Sequence, residues 1–253
     1  MFTTVAYQEA KPADTTPLAI LAVPDQHVRT DDTIIYMSDF NEILGVYAGG
    51  HTTLTDAYLA SPSLRRLANY TIAPLALDAL PLGDDSFILH PDSPLGLEKN
   101  EGLEAIITAS GTVGAVFTTV GVWLGDGPVA SVTGEIFHVR ATCPALAAAA
   151  LAWQNRELTF DDTLPVGRYQ IVGAKCFSAT VVLFRFVPIG EAFRPGGLGG
   201  ATLDLKTHDL QRNGGLGVWC EFDQITPPSV DFLKGVAAGA DDPVLYLDLI
   251  KVG

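Results

Sequence analysis

Apolar residues in this chain come in short alternating or continuous runs, each closed by Gly, Pro, Asp or Asn, the pattern of strands joined by tight turns. It predicts strands over 18–23, 33–37, 43–48, 53–59, 69–72, 87–89, 103–109 and 116–124 in the first half. The second half offers 135–142, 157–160, 169–176, 180–187, 217–222, 230–233 and 244–252. Helix signals are few. Ser61 followed by Pro62 places an N-cap before a residue suited to the first helical position, which predicts one or two helical turns over 61–67. The Ala-rich run 145–153 favours helix by composition but lies between strand signals, so its state is left open.

The same pattern occurs twice. Ile43-Leu44-Gly45-Val46 is echoed by Ile171-Val172-Gly173-Ala174, an offset of 128 residues. Asp31-Asp32-Thr33 is echoed by Asp161-Asp162-Thr163 at an offset of 130, and the apolar run 116–125 by 244–253 at 128. A near-constant offset at three separated places, close to half the chain, points to duplication. The expected fold is all-β with few short helices: two tandem jelly-roll β-sandwiches, one over residues 1–130 and one over 131–253. The alternative is a single jelly roll with an elaborated N-terminal part. Gly45 and Gly173 are expected at equivalent points.

Composition narrows the picture. At 253 residues the chain can bury a substantial core. With 15 Lys and Arg against 29 Asp and Glu, the net charge of −14 and the absence of a basic cluster argue against high-affinity binding to nucleic acid, because a phosphate-binding surface needs clustered cations. The N-terminus has no charged segment leading into an apolar one, so no secretory signal is expected, and no apolar run is long enough to span a membrane as a helix. Cys143, Cys176 and Cys220 are odd in number and widely spaced, which predicts free, buried thiols in a reducing compartment.

Candidate chemistry is sparse. His27, His51, His90, His138 and His208 stand singly, without the spacings that put two imidazoles on one metal, and no serine elbow or cysteine motif is present. The run 194–200, Arg-Pro-Gly-Gly-Leu-Gly-Gly, lacks the Lys-Ser/Thr of a phosphate loop and reads as an ordered loop needing positive φ or close backbone approach. Asp84-Asp85 and Asp241-Asp242 read as turn caps rather than calcium ligands. Trp123, Trp153 and Trp219 are the residues from which a sugar-binding platform could be built, and each reads first as core. No catalytic, cofactor-binding or metal-binding residue is assigned, no cofactor is expected, and the chain does not read as an enzyme.

The segments Val122-Trp123-Leu124-Gly125-Asp126-Gly127-Pro128, then 160–169, 194–199 and 246–252, resemble the major capsid proteins of small tailless icosahedral bacteriophages. The resemblance covers most of the last 130 residues and is looser in the first half. It implies a structural protein of the virion, a double jelly roll assembling as pseudo-hexagonal homotrimers into an icosahedral shell in the host cytoplasm. The partners it implies are copies of the chain, minor capsid or vertex proteins, and an internal membrane or basic packaging protein. Like-charged subunits need largely uncharged contacts, so at least one of the tracts 141–155 and 195–202 is expected at a subunit boundary. The competing readings are a carbohydrate- or receptor-binding spike or adhesin and, third, a hydrolase on a β scaffold.

Overall fold

The computed structural model describes residues 1–9, 16–37, 39–50, 53–64, 70–72, 87–89, 91–110, 117–148, 151–200, 215–236 and 239–253. The first half contributes β1 (Phe2–Glu9), β2 (Leu18–Ala19), β3 (Thr30–Asp31), β4 (Ile34–Tyr36), β5 (Glu42–Gly49), β6 (Leu54–Ala60), β7 (Tyr70–Ile72), β8 (Phe87–Leu89), β9 (Leu95–Gly96), β10 (Gly102–Ala109) and β11 (Thr118–Gly125). The second contributes β12 (Phe137–Thr142), β13 (Gln154–Arg156), β14 (Thr159–Phe160), β15 (Arg168–Phe177), β16 (Val181–Val187), β17 (Gly196–Gly200), β18 (Cys220–Asp223), β19 (Ser229–Lys234) and β20 (Val244–Lys251).

No α-helix occurs among the described residues. Residues 61–64 form a turn in which the Leu64 N–H donates to Ser61 Oγ at 3.3 Å, the bond expected of the cap; 65–67 lie outside the described residues. In the alanine run, the described residues 145–148 and 151–153 are irregular, with Leu146 bridged to Asp241.

Eight principal strands of each half follow one topology. In the first half the sheets run β1-β11-β5-β8 and β4-β10-β6-β7, with β3 beside β4, β2 beside β10 and β9 beside β5. In the second they run β12-β20-β15-β18 and β13-β19-β16-β17, with β14 beside β12. Numbered in chain order within its half, each set reads 1-8-3-6 and 2-7-4-5, the paired Greek keys of a jelly roll. The chain is therefore an all-β double jelly roll, and the single-roll alternative does not describe it. In the second roll β17 pairs antiparallel with β16 and, over two residues, parallel with β15, which joins both faces at one corner.

Register irregularities repeat as well. Ile43 faces Leu124 and Gly45 faces Trp123, leaving Leu44 as an extra residue; Ile171 faces Leu249 and Gly173 faces Asp248, leaving Val172. Between β6 and β10 the extra residue is Thr55, and between β16 and β19 it is Val182. Each sheet of each roll thus has its bulge at the corresponding place, and Gly45 and Gly173 follow corresponding bulges. A bulge re-aims a strand at the cost of a ladder bond, so matched bulges carry the duplication seen in the sequence.

The four sheets stack face to face. One core fills the first roll, with Ile35, Leu59, Leu103 and Ile107 against Val5, Tyr7, Val46 and Val122. The opposite face of β1, β5 and β11 presents Phe2, Leu44, Tyr47 and Trp123 to the second core, which also holds Leu183, Phe184, Trp219, Leu247 and Leu249. The order is β4-β10-β6-β7, β1-β11-β5-β8, β13-β19-β16-β17, β12-β20-β15-β18. At the middle junction a Cβ on Gly121 would stand 3.0 Å from the Leu183 methyls, so β11 lies close on β16.

Besides the short β13, two strands at this junction escape the sequence pattern. β1 is buried over nearly its whole length, including Thr3, Thr4 and Gln8. β17 is the glycine run, which the sequence predicts as a loop. None of its glycines has positive φ; close approach explains them instead, since a Cβ on Gly196 would fall on the Phe184 carbonyl oxygen. All five residues of β17 are buried inside one chain, so 196–200 is not a boundary between copies. Its uncharged character serves the junction between the rolls.

Candidate functional site

The seam between the rolls holds a polar network built from positions far apart in sequence. The first roll reaches across mainly through β1 and the segment after β2. The Thr4 N–H donates to the Arg194 carbonyl at 2.7 Å, the Arg194 N–H donates to Thr3 Oγ1 at 3.1 Å, and Trp123 Nε1 donates to the Gly196 carbonyl at 2.7 Å. At the other end of β1, Gln8 Nε2 donates to the Lys234 carbonyl at 2.7 Å and Gln8 Oε1 accepts from the Leu151 N–H at 2.8 Å. The Lys234 side chain is fully enclosed; its ammonium donates to the carbonyls of Ala147 and Gly239, and burial lowers its pKa.

At the centre is Arg185 on β16. Its guanidinium pairs with Asp25 from the first roll and, at 3.0 Å, with Asp231 on β19; it also donates to the Thr4 carbonyl at 3.1 Å and lies 4.1 Å from the centroid of the Trp153 ring. Asn155 on β13 donates to Asp231 at 2.8 Å. Buried ion pairs stabilise only when their remaining hydrogen-bonding capacity is met, and here carbonyl, amide and aromatic face all contribute. Beside Arg185 lies Arg194, which donates to the Glu191 and Phe193 carbonyls and to His27 Nε2. A cleft of about 880 Å³ and a cavity of about 510 Å³ share His27, Val187, Arg194 and Ser229 as a common wall.

Other sequence candidates do not join this cluster. His138 on β12 pairs with the fully buried Asp248 on β20; His51, His90 and His208 lie outside the described residues. Among the described residues no group of three or more His, Cys, Asp or Glu is placed to hold a metal ion. All three cysteines are free and buried in the second core; burial pushes Cys143 up to about 12 and raises the other two as well. Asp241 accepts from the Ser178 and Thr180 hydroxyls and Asp242 from the Ala145 N–H at 2.6 Å, so the pair ties distant segments together rather than capping its own turn; Asp84-Asp85 falls outside the described residues. Trp123 and Trp219 are core and the face of Trp153 is stacked by Arg185, so none presents a sugar platform.

The two outward faces of the stack complete the candidate surfaces. On β6 and β10, with Leu59, Leu103, Ala105 and Ile107 turned to the core, the opposite face presents Asp56, Tyr58, Glu104 and Ile106. On β12 and β20, with Ala141, Leu245, Leu247 and Leu249 turned inward, it presents His138, Arg140 and Tyr246. One face carries carboxylates beside apolar and aromatic groups; the other carries His138 paired with Asp248, Arg140 paired with Asp161, and Tyr246.

No family model matches the chain, and no curated protein matches it. Among solved structures it is similar to the major capsid protein P2 from Bacteriophage PM2, at 9% identity over 100% of this chain and 98% of that one, with a TM-score of 0.24. It is also similar to the STIV MCP, at 9% identity over 99% of this chain and 97% of that one, with a TM-score of 0.21. Likenesses this low carry no argument about what the chain does, and the fold rests on its own strand order and register.

Proposed function

We propose that the chain is a structural capsid protein that assembles through copies of itself, without catalysis or a cofactor. Fold alone does not fix function; what carries this reading is the stack. Within one chain, the sheet β1-β11-β5-β8 of one jelly roll lies on the sheet β13-β19-β16-β17 of the next. The ends of the stack are the same two kinds of sheet left open, one with Asp56 and Glu104 on β6 and β10 and one with Arg140 on β12 and β20. Repeating the junction between copies sets the second roll of one chain against the first roll of the next, a head-to-tail contact that closes into a ring when the rotation allows. Three copies supply six rolls and a pseudo-hexagonal trimer.

On this reading residues 1–130 and 131–253 are the two duplicated domains, and the protein resides in the virion of a bacteriophage after assembly in the host cytoplasm. At −14 the subunit does not gather genome by its own surface, so contact with nucleic acid falls to a basic packaging protein or an internal membrane, and the shell is completed by minor capsid or vertex proteins. The tract 141–155, running from the end of β12 to β13, is the uncharged stretch left for a subunit boundary.

Native mass spectrometry of the full chain tests the arrangement. The wild type should give a trimer, Arg140→Glu and Glu104→Arg should each weaken it, and the two combined should restore it. A wild-type monomer at all concentrations, or a trimer indifferent to both single changes, would count against the proposal.

A further inference from the structure

The segment 24–28 reaches from the first roll into the second on two contacts, the ion pair of Asp25 with Arg185 and the contact of His27 with Arg194. A guanidinium has donors and no acceptor, so where Arg194 Nη2 meets His27 Nε2 the imidazole must accept. That fixes a neutral ring with its proton on Nδ1. Arg194 is 5% exposed, and no carboxylate pairs with it among the described residues. The carboxylates of Asp25 and Asp231 are both taken up by Arg185.

We infer that the His27–Arg194 contact is a proton-sensitive latch between the two jelly rolls, closed while His27 is neutral and released when it is protonated. A proton on Nε2 turns the acceptor into a donor facing a donor and adds positive charge beside two buried guanidinium groups. The charges facing His27 are Asp25 on its own segment, Arg185 on β16, Asp231 on β19, and Arg194 and Glu191 between β16 and β17; Glu157, after β13, lines the same cleft. His27 is exposed as a residue, yet its Nε2 edge is turned to a buried partner. Loss of water on that side, and then the charge of Arg194, press its pKa below the ordinary histidine value, against a smaller opposing pull from Asp25 and Asp231.

The sign follows. Because the folded state holds the proton less tightly than the unfolded one, the latch contributes in full above the ordinary histidine pKa and is lost as pH falls below it. Release leaves the Asp25–Arg185 pair as the tie that holds the 24–28 segment across the seam, and takes His27 out of the wall shared by the cleft and the cavity. The latch depends on the seam within one chain and holds whether or not copies form a shell.

Hydrogen exchange read by mass spectrometry on the full chain tests it, with peptides 20–28 and 188–195 referred to peptide 102–109 of β10 in the same sample, so that the pH dependence of exchange chemistry cancels. From about pH 8 to about pH 5 the wild type should lose protection at both seam peptides relative to β10. His27→Gln keeps an acceptor that does not titrate, so its ratio should stay level. Equal losses in the two proteins would overturn the latch. Should His27→Gln loosen the seam at every pH, long-range ¹H–¹⁵N NMR of the wild type decides. A ring protonated on Nδ1 and titrating below the ordinary value supports the latch; an Nε2–H ring, or one titrating at or above that value, overturns it.

Discussion

The inner and outer sheets of the stack use the same strand order but are written in different sequence. On the outer sheets burial alternates, as along β10, β12 and β18, with one face on a core and the other outward. On the inner sheets β1, β11 and β16 are buried almost without a break. A sheet with cores on both sides has no polar face to mark its period, and the opposite roll is where several of its long polar side chains find partners. That is why Gln8, Arg185 and Trp123 reach across the seam, whereas Arg140 on the outer face bonds to Asp161 of its own roll.

The contrast is broken most directly at glycine. Gly196→Val places side-chain atoms where the Phe184 carbonyl lies, with the Arg185 backbone close by, so soluble, cooperatively folding protein should be lost. Gly96→Ala on β9 meets nothing within 4 Å and should melt as the wild type does. Thermal unfolding of the pair measures the difference, and a well-folded Gly196→Val would mean that β17 can shift away from β16.

Charge provides the next contrast. Arg185→Met removes the cation from Asp25 and Asp231 and leaves two buried carboxylates facing each other, so about 3–5 kcal/mol of stability should be lost. Arg140→Met on the outer face should leave stability unchanged within error in the isolated chain. Urea unfolding of both variants checks this. Equal losses would mean that the seam network is no more than surface pairing.

What the sequence made legible follows the same division. β10 reads as 103–109 and β20 as 244–252 because one face of each is apolar and the other is not. The pattern passes over β1, whose Thr3, Thr4 and Gln8 look like a polar tail until the second roll covers them. It passes over β17 because a glycine run has no side chains to alternate, and over β13 because Gln154-Asn155-Arg156 has no apolar residue. The offset of 128 is matched in the structure, where Gly45 and Gly173 follow corresponding bulges. The seam cluster has no local signature: Asp25, His27, Arg185, Arg194 and Asp231 meet only through the stacking of sheets, and the single feature that sets them apart in sequence is charge in a chain that has little of it.

The smallest contrast separates the rim of the first roll from the seam by the pH at which each yields. Glu101, before β10, is 8% exposed, and its carboxylate accepts from the Ser63 N–H and hydroxyl and from the Glu98 N–H at 2.8 Å. Burial alone would raise its pKa; the bonds from Ser63 and Glu98, together with Ser61, outweigh that and hold it below the usual carboxylate range. Its contribution is therefore present above the unfolded carboxylate pKa and lost as pH falls through the lower folded value, whereas the His27 contact yields at higher pH. Glu101→Gln should cost about 1–2 kcal/mol at neutral pH and should flatten the acid limb of the stability curve while leaving the histidine-range limb in place. Urea midpoints measured from neutral to acid pH, beside His27→Gln, test the separation. If Glu101→Gln flattened the histidine-range limb as well, the rim and the seam would be one titrating unit and not two.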